Sequence, residues 1–249
     1  MKPAPLLLLK DNLKKLKLTN MLRHFEEQNR QAQEDGLAYG EFLLALTEIE
    51  LQTRAENRDK RRIREARFPL MKTLELFNFD AVPDLSKRKV RELASCDYIK
   101  ERRNIILMGR SGTGKTHLAT ALGLEACHNN YKTRFITGYA LANELIEAHN
   151  DKDLSRVINR YSRLDLLILD ELGYVPFSKE GAELLFQVLA ERHERGSIII
   201  TSNLGFADWT KIFGDANMTA ALLDRLTHKA HIIECKWDSY RLKQSLKKR

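Results

Sequence analysis

Eight residues carry the most definite chemistry in this 249-residue chain. Gly109, Arg110, Ser111, Gly112, Thr113, Gly114, Lys115 and Thr116 fit the spacing G-x-x-x-x-G-K-[ST] at every required position. An apolar run from Ile105 to Met108 leads into them, and a helix-compatible stretch from His117 to Gly123 follows. That strand–turn–helix context is what the motif requires. Glycines let several backbone N–H groups converge on one point, and the helix N-terminus adds partial positive charge. Lys115 is placed to reach β- and γ-phosphates, and the Thr116 hydroxyl to hold Mg²⁺. His117 is grouped with these cofactor-binding residues as a shaper of the loop, without a catalytic part. The pattern implies binding of a nucleoside triphosphate.

Asp170 and Glu171 end a second apolar run, Leu166 to Leu169. A buried strand delivers such groups at its carboxyl end, where open parallel sheets keep their ligands. Asp170 is expected to hold Mg²⁺ beside Thr116, and Glu171 to accept a proton from an attacking water. A third run, Ile198 to Ile200, ends in Thr201, Ser202 and Asn203. Asn203 either positions that water or touches the γ-phosphate, or is an ordinary strand-ending turn residue. Arg225 follows on the short helical stretch 220–226. Phosphoryl transfer gains from a cation aimed at the developing charge, often from a neighbouring subunit; a surface pair with Asp224 is the alternative.

The elements that must position these groups alternate from residue 104 onward. Strands are expected at 105–108, 133–137, 164–170, 197–202 and 230–235. Helices are expected near 116–129, 140–149, 181–194 and 219–226. Apolar strands separated by amphipathic helices imply a mostly parallel sheet with helices on both faces. Residues 10–67 read instead as helical. Leu18, Leu22 and Phe25 repeat at i, i+4, i+7, as do Phe42, Leu46 and Ile49 in a segment that could run from 41 to 67. Phe68 and Pro69 should end it, because proline lacks the N–H and disfavours α geometry in its predecessor. The expected domains are 1–69, all helical, and 70–249, the α/β unit.

Charge limits the partners. The chain has 42 basic and 34 acidic side chains, a formal charge of +8, which favours nucleic acid or an acidic surface. Residues 54–67 hold seven basic and three acidic groups. Arg54, Arg58, Arg61 and Arg62 fall near one helical face, either a solvated, salt-laced surface or a site for phosphates. Cys96, Cys127 and Cys235 are odd in number and widely spaced, so they read as reduced thiols. The apolar run from Leu6 to Leu9 is too short for a signal peptide or a membrane span. A soluble, cytoplasmic protein without membrane contact is expected. His228 and His231 lack a third neighbour that would make a metal site.

The order of 109–116, 166–171, 201–203 and 224–226 resembles an AAA+ ATPase of the replication-initiator type. More narrowly the chain resembles the IstB family, helper ATPases of a class of bacterial insertion sequences, with DnaC-type helicase loaders as near relatives. The segments 109–119, 165–174, 201–203, 221–226 and 239–243 carry the likeness, and 41–69 matches the family's helical region. The resemblance implies a P-loop AAA+ core after an all-helical N-terminal domain. It makes Lys115 and Thr116 Walker A, Asp170 and Glu171 Walker B, Asn203 sensor 1 and Arg225 an arginine finger. A finger implies a homo-oligomer whose ATP sites lie between subunits, in a ring or helical filament. Only 14 residues follow Cys235, too few for the C-terminal helical lid of many AAA+ proteins. The sensor-2 arginine of that lid has no secure home; Arg241 is a candidate. Phe77, Phe79 and Asp80 lie where related enzymes cradle adenine, with packing as the other reading for the rings.

The resulting expectation is an ATP- and Mg²⁺-dependent ATPase that oligomerises on duplex DNA with little sequence preference. It would recruit or regulate a cognate transposase and hydrolyse ATP to disassemble. The rivals are a helicase loader, a nucleotide-gated DNA scaffold with little turnover, and a monomeric small-molecule kinase.

Overall fold

A computed structural model describes residues 3–82 and 84–240. The chain divides into two compact units between Arg61 and Arg62. The first contains α1 (Pro3–Lys15), α2 (Thr19–Glu34) and most of α3 (Tyr39–Ala66). Both apolar stripes read from the sequence turn inward. Leu13, Met21, Phe25 and Leu46 are buried together, with Leu18, Leu22 and Phe42 packed around them. The 28 residues of α3 span about 42 Å at 1.5 Å per residue. The helix stops at Ala66, and Arg67 leaves it with φ +57° just before Phe68 and Pro69.

One buried carboxylate organises this unit. Leu18 stands at the N-cap of α2 and offers no side-chain acceptor to the helix. Glu50 of α3 supplies it, accepting from the backbone N–H of Asn20 at 2.9 Å and of Met21 at 3.1 Å. Its other oxygen accepts from Arg54 Nε at 2.7 Å. Orphan donors at a helix N-terminus, with their partial positive charge, favour an anion there.

The second unit adds α4 (Lys87–Ala94), α5 (Asp97–Lys100), β1 (Ile105–Gly109), α6 (Lys115–His128), β2 (Thr133–Thr137) and α7 (Gly138–Asn150). It continues with α8 (Leu154–Ser162), β3 (Leu166–Leu172), α9 (Lys179–Glu191), β4 (Ser197–Ser202), α10 (Thr210–Phe213), α11 (Ala216–Thr227) and β5 (His231–Cys235). The five strands form one parallel sheet in the order β2-β3-β4-β1-β5. Side chains alternate between two cores. Ile105, Leu107, Leu166, Ile168 and Ile199 pack with Leu118 and Leu122 of α6 and Val90 and Leu93 of α4. Ile106, Met108, Leu167, Leu169, Ile198 and Ile200 pack with Leu141 and Leu145 of α7, Leu185 of α9 and Leu222 of α11. Burial on both faces is why these strands read as continuous apolar runs.

Sheet order places the site. After β1 the chain crosses to the far edge at β2, returns through β3 and β4, and adds β5 on the other side of β1. The connections therefore part around β1 and β4, and a parallel sheet binds ligands outside the carboxyl ends at such a switch point. Pairing of β3 with β4 shifts between Leu169 and Leu172, and Glu171 lies in that irregularity with φ +56°. At the opposite, amino edge, the fully buried Arg192 donates to the carbonyls of Tyr161, Leu164 and Ser197. It ties the approach to β3 to the start of β4. No helical lid follows β5 among the described residues. Among the described residues no helix is long and apolar enough to cross a membrane.

Glu50 yields a prediction for this unit. Burial raises its carboxyl, but the N–H of Met21, Arg54 and the N–H of Asn20 outweigh that and hold it below the ordinary value of 4.5. A lowered folded value contributes stability above pH 4.5, lost as pH falls through the lowered value. Glu50→Ala should cost the helical unit about 1–3 kcal/mol, as loss of a cap and a charged hydrogen bond. Melting followed by helical circular dichroism should show it at pH 7. Glu50→Gln should also flatten the acid limb of the melting curve against pH; an unchanged acid limb would contradict this role.

Candidate nucleotide-binding site

The turn between β1 and α6 can be made only with glycine at two points. Gly112 and Gly114 adopt φ +81° and +91°, backbone that side chains disfavour. Gly112 also has no room, since an added Cβ would lie 2.1 Å from Ser239 Oγ. The loop is supported by its own groups and by the segment after β5. Thr113 Oγ1 donates to Arg110 O at 2.9 Å. Trp237 Nε1 donates to Thr113 O at 2.8 Å, and the Tyr240 N–H to Gly112 O at 3.0 Å. Lys115 Nζ donates to the carbonyls of Gly109 and Arg110 at 2.7 and 2.8 Å. Those two residues thus frame the loop, while 111–117 line the cleft beside it.

The expected carboxylates meet the loop at the carboxyl ends of β3 and β4. Thr116 Oγ1 donates to Asp170 Oδ1 and Oδ2 at 3.0 and 3.2 Å. Thr201 Oγ1 donates to the same Oδ1 at 2.5 Å and accepts from the Glu171 N–H at 2.9 Å. Asp170 is 3% exposed. Burial pushes its carboxyl up, against the hydrogen bonds of Thr201, Thr116 and the Glu171 N–H and the charge of Lys115. Thr116 and Asp170 present only oxygen donors, the set a hard divalent cation takes. Glu171 lines the cleft with Asn203, where β3 shifts register on β4. Thr201, which no sequence pattern singles out, joins the Asp170 carboxylate to the Glu171 backbone. Its position at the end of β4 was visible; its hydrogen bonds to β3 were not.

The cleft has a volume of about 290 Å³. Its remaining wall is the strap of residues 72–82, with Leu76, Phe77 and Val82, and Tyr174 and Tyr240 also line it. His117 fixes the strap: its Nε2 hydrogen-bonds Thr73 O at 2.8 Å and its ring meets Phe77 edge-on at 5.1 Å. Burial lowers the imidazole below its usual range, against the Thr73 bond, so the ring is neutral at pH 7. Phe77 is thus both a cleft residue and a packing residue. Phe79 packs behind it at 4.9 Å, and Asp80 pairs with Lys87 at 3.1 Å.

Other sequence candidates lie elsewhere. Arg225 lines a separate cavity of about 260 Å³ with Asn104, Gly196, Ile198 and His228, at the amino edge of the sheet. Its Nη1 donates to Ala221 O at 2.9 Å, and the guanidinium lies 5.4 Å from the Phe186 ring centre. Strands of five to seven residues put about 15 Å or more between the two edges. Arg225 is therefore not brought to the cleft of its own chain. In the first unit Arg54, Arg58 and Arg61 are exposed on α3, Arg54 being drawn to Glu50. In the second unit Arg62 is half-buried and donates to Asn130 Oδ1 at 3.2 Å. Arg241 lies outside the described residues. All three cysteines are buried without a disulfide, and burial pushes Cys96 up to about 12 and Cys235 to about 11.

Known proteins extend this geometry. The family model for IstB-like ATP-binding proteins matches residues 11–248. An insertion-sequence IS21 protein of Pseudomonas aeruginosa, named as a predicted ATP-binding protein, is 40% identical over 235 residues, covering 94% of this chain and 89% of its own. A counterpart from insertion sequence IS5376 of Geobacillus stearothermophilus is 36% identical and covers 92% of each chain. Among solved structures, AMPPCP-bound DnaA from Aquifex aeolicus superposes with a TM-score of 0.59 at 21% identity, over 74% of this chain and 57% of that one. A DnaI structure gives 0.52 at 19% identity, over 64% and 94%. The chain thus spans just over half of the DnaA structure, and these likenesses establish the fold, a parallel five-stranded α/β core with no helical lid among the described residues. By its sequence, the chain belongs to the family of IstB-like ATP-binding proteins.

Proposed function

We propose that this chain is an ATPase that assembles on duplex DNA, with little sequence preference, and there recruits or regulates the transposase of an insertion sequence. The observation that carries the reading is a split site: the phosphate loop, Asp170 and Glu171 stand at one edge of the sheet and Arg225 at the other. Such a site is completed head to tail by a second copy, which builds a ring or a filament. The names of the relatives support the insertion-sequence setting. The charge of +8 and the exposed Arg54, Arg58 and Arg61 support phosphate contact.

In this reading Lys115 binds the β- and γ-phosphates, the loop cradles them, and Thr116 with Asp170 holds magnesium. The ion, when bound, offsets charge on the phosphates. Glu171 takes a proton from the attacking water, and Asn203 orients that water or the γ-phosphate. Thr201 holds Asp170 and the Glu171 backbone in the same frame. Arg225 reaches the phosphates held by the next copy, and hydrolysis lets the assembly come apart.

Sizing by sedimentation tests the reading: ATP with duplex DNA should give multi-subunit assemblies, and a monomer under both conditions would overturn it. Arg225→Ala should lower turnover by on the order of a thousandfold with the ATP affinity of the isolated subunit nearly intact; normal turnover removes it as the finger. Glu171→Gln should hold the ATP-bound assembly on DNA, and dissociation at the unaltered rate would count against it as base. Thr201→Val should cut kcat about 10–100-fold, the usual scale for groups that orient a metal ligand. Thr201→Ser should restore most of that loss, and a valine variant with unchanged kcat would contradict the role.

A further inference from the structure

The segment after β5 touches the nucleotide cleft in two ways. It first supports the phosphate loop from outside. A loop that turns N–H groups toward phosphate turns carbonyls of the same peptides away, and buried carbonyls need donors. Gly112 O and Thr113 O find theirs in the Tyr240 N–H at 3.0 Å and the Trp237 indole at 2.8 Å. Ser239 occupies the space beside Gly112 that any larger residue would need. Trp237 is 9% exposed, so this support is part of the core. Secondly, Tyr240 lines the cleft that Leu76, Phe77 and Val82 also line, and the residue keeps 36% of its surface exposed.

We propose that residues 237–240 take the part of a lid: they shape the loop through Trp237 and the Tyr240 backbone, and the Tyr240 ring packs on the purine base of the nucleotide. The proposal rests on the nucleotide reading of the cleft. The strap of 72–82 gives a base one apolar wall. Among the described residues no helical lid supplies another, and Tyr240 is the aromatic group contributed to the cleft from the chain's other end. Stacking on an aromatic ring depends on the face of the base and not on its charge, so the base contact and the phosphate contact are separable.

Calorimetry on the full chain, with Mg-ATP and with inorganic tripolyphosphate as probes, separates them. Tyr240→Ala should weaken ATP about tenfold, within the range for loss of one base stack, and leave tripolyphosphate unchanged. Tyr240→Phe should bind both as the unaltered chain does. Trp237→Phe keeps the ring but loses the donor to Thr113 O, and should weaken both probes by the same factor. Should the alanine variant lose its thermal transition, Tyr240→Leu decides, with ATP weakened severalfold and tripolyphosphate unchanged. The proposal is overturned if Tyr240→Ala binds ATP normally, or loses ATP and tripolyphosphate in equal proportion. Failure of the unaltered chain to bind ATP would overturn the nucleotide site itself, and this proposal with it.

Discussion

The buried Asp170 carboxylate is the point on which the rest of the second unit depends. Two hydroxyls meet it, Thr116 from the first turn of α6 and Thr201 from the end of β4. A carboxylate in that position is costly unless hydrogen-bonded and charge-compensated, so the strands must deliver both threonines in register. The sheet order does this by laying β4 between β1 and β3. Ile199 then stands opposite both Ile105 and Ile168, which fixes where each strand ends. Strand alternation sends adjacent residues opposite ways, Asp170 inward to the threonines and Glu171 outward to the cleft, and the register of β3 on β4 shifts at this point. Glu171 holds φ +56° there, a backbone state with a cost of order 1–3 kcal/mol that surrounding contacts must sustain. The bond from its N–H to Thr201 is one such contact.

How much of this was legible in the sequence follows from how local the determinants are. The phosphate loop was legible because glycine is forced by backbone geometry at fixed spacing. The strands were legible because burial on both faces leaves unbroken apolar runs; 133–137 and 197–202 match β2 and β4 residue for residue. Four helices, α4, α5, α8 and α10, were not expected from the sequence, nor was the start of α1. α1 begins at Pro3, ahead of the run Leu6 to Leu9, where four adjacent leucines show no period. In α4 the basic residues Lys87, Arg88, Lys89 and Arg91 mask the helical face on which Val90 and Leu93 are buried. In α8, Leu154, Val157, Ile158 and Tyr161 do keep the helical spacing, and that signal was there to be used. What no local pattern could supply were contacts between distant segments. Trp237 reaches Thr113 across 124 positions and Thr201 reaches Asp170 across 31. Arg62 shows the same limit: spacing groups it with Arg54, Arg58 and Arg61, but Asn130 holds it within the second unit.

Function in this account follows from incompleteness. One chain presents phosphate-binding and carboxylate groups at the carboxyl edge of its sheet, and a guanidinium packed on Phe186 at the amino edge. No motion within a parallel sheet joins the two, so in the proposed function a second copy supplies the guanidinium. On that proposal nucleotide occupancy would report the state of an assembly, as the proposed gathering on DNA and later release require. The most direct measurement is ATP turnover when two inactive variants are mixed, Glu171→Gln with Arg225→Ala. A mixed assembly contains interfaces in which the intact Glu171 of one copy faces the intact Arg225 of the other. In a random equal mixture about a quarter of sites are of that kind. Turnover should return toward that fraction of the unaltered level; a mixture as inactive as its components would rule out a site shared between copies.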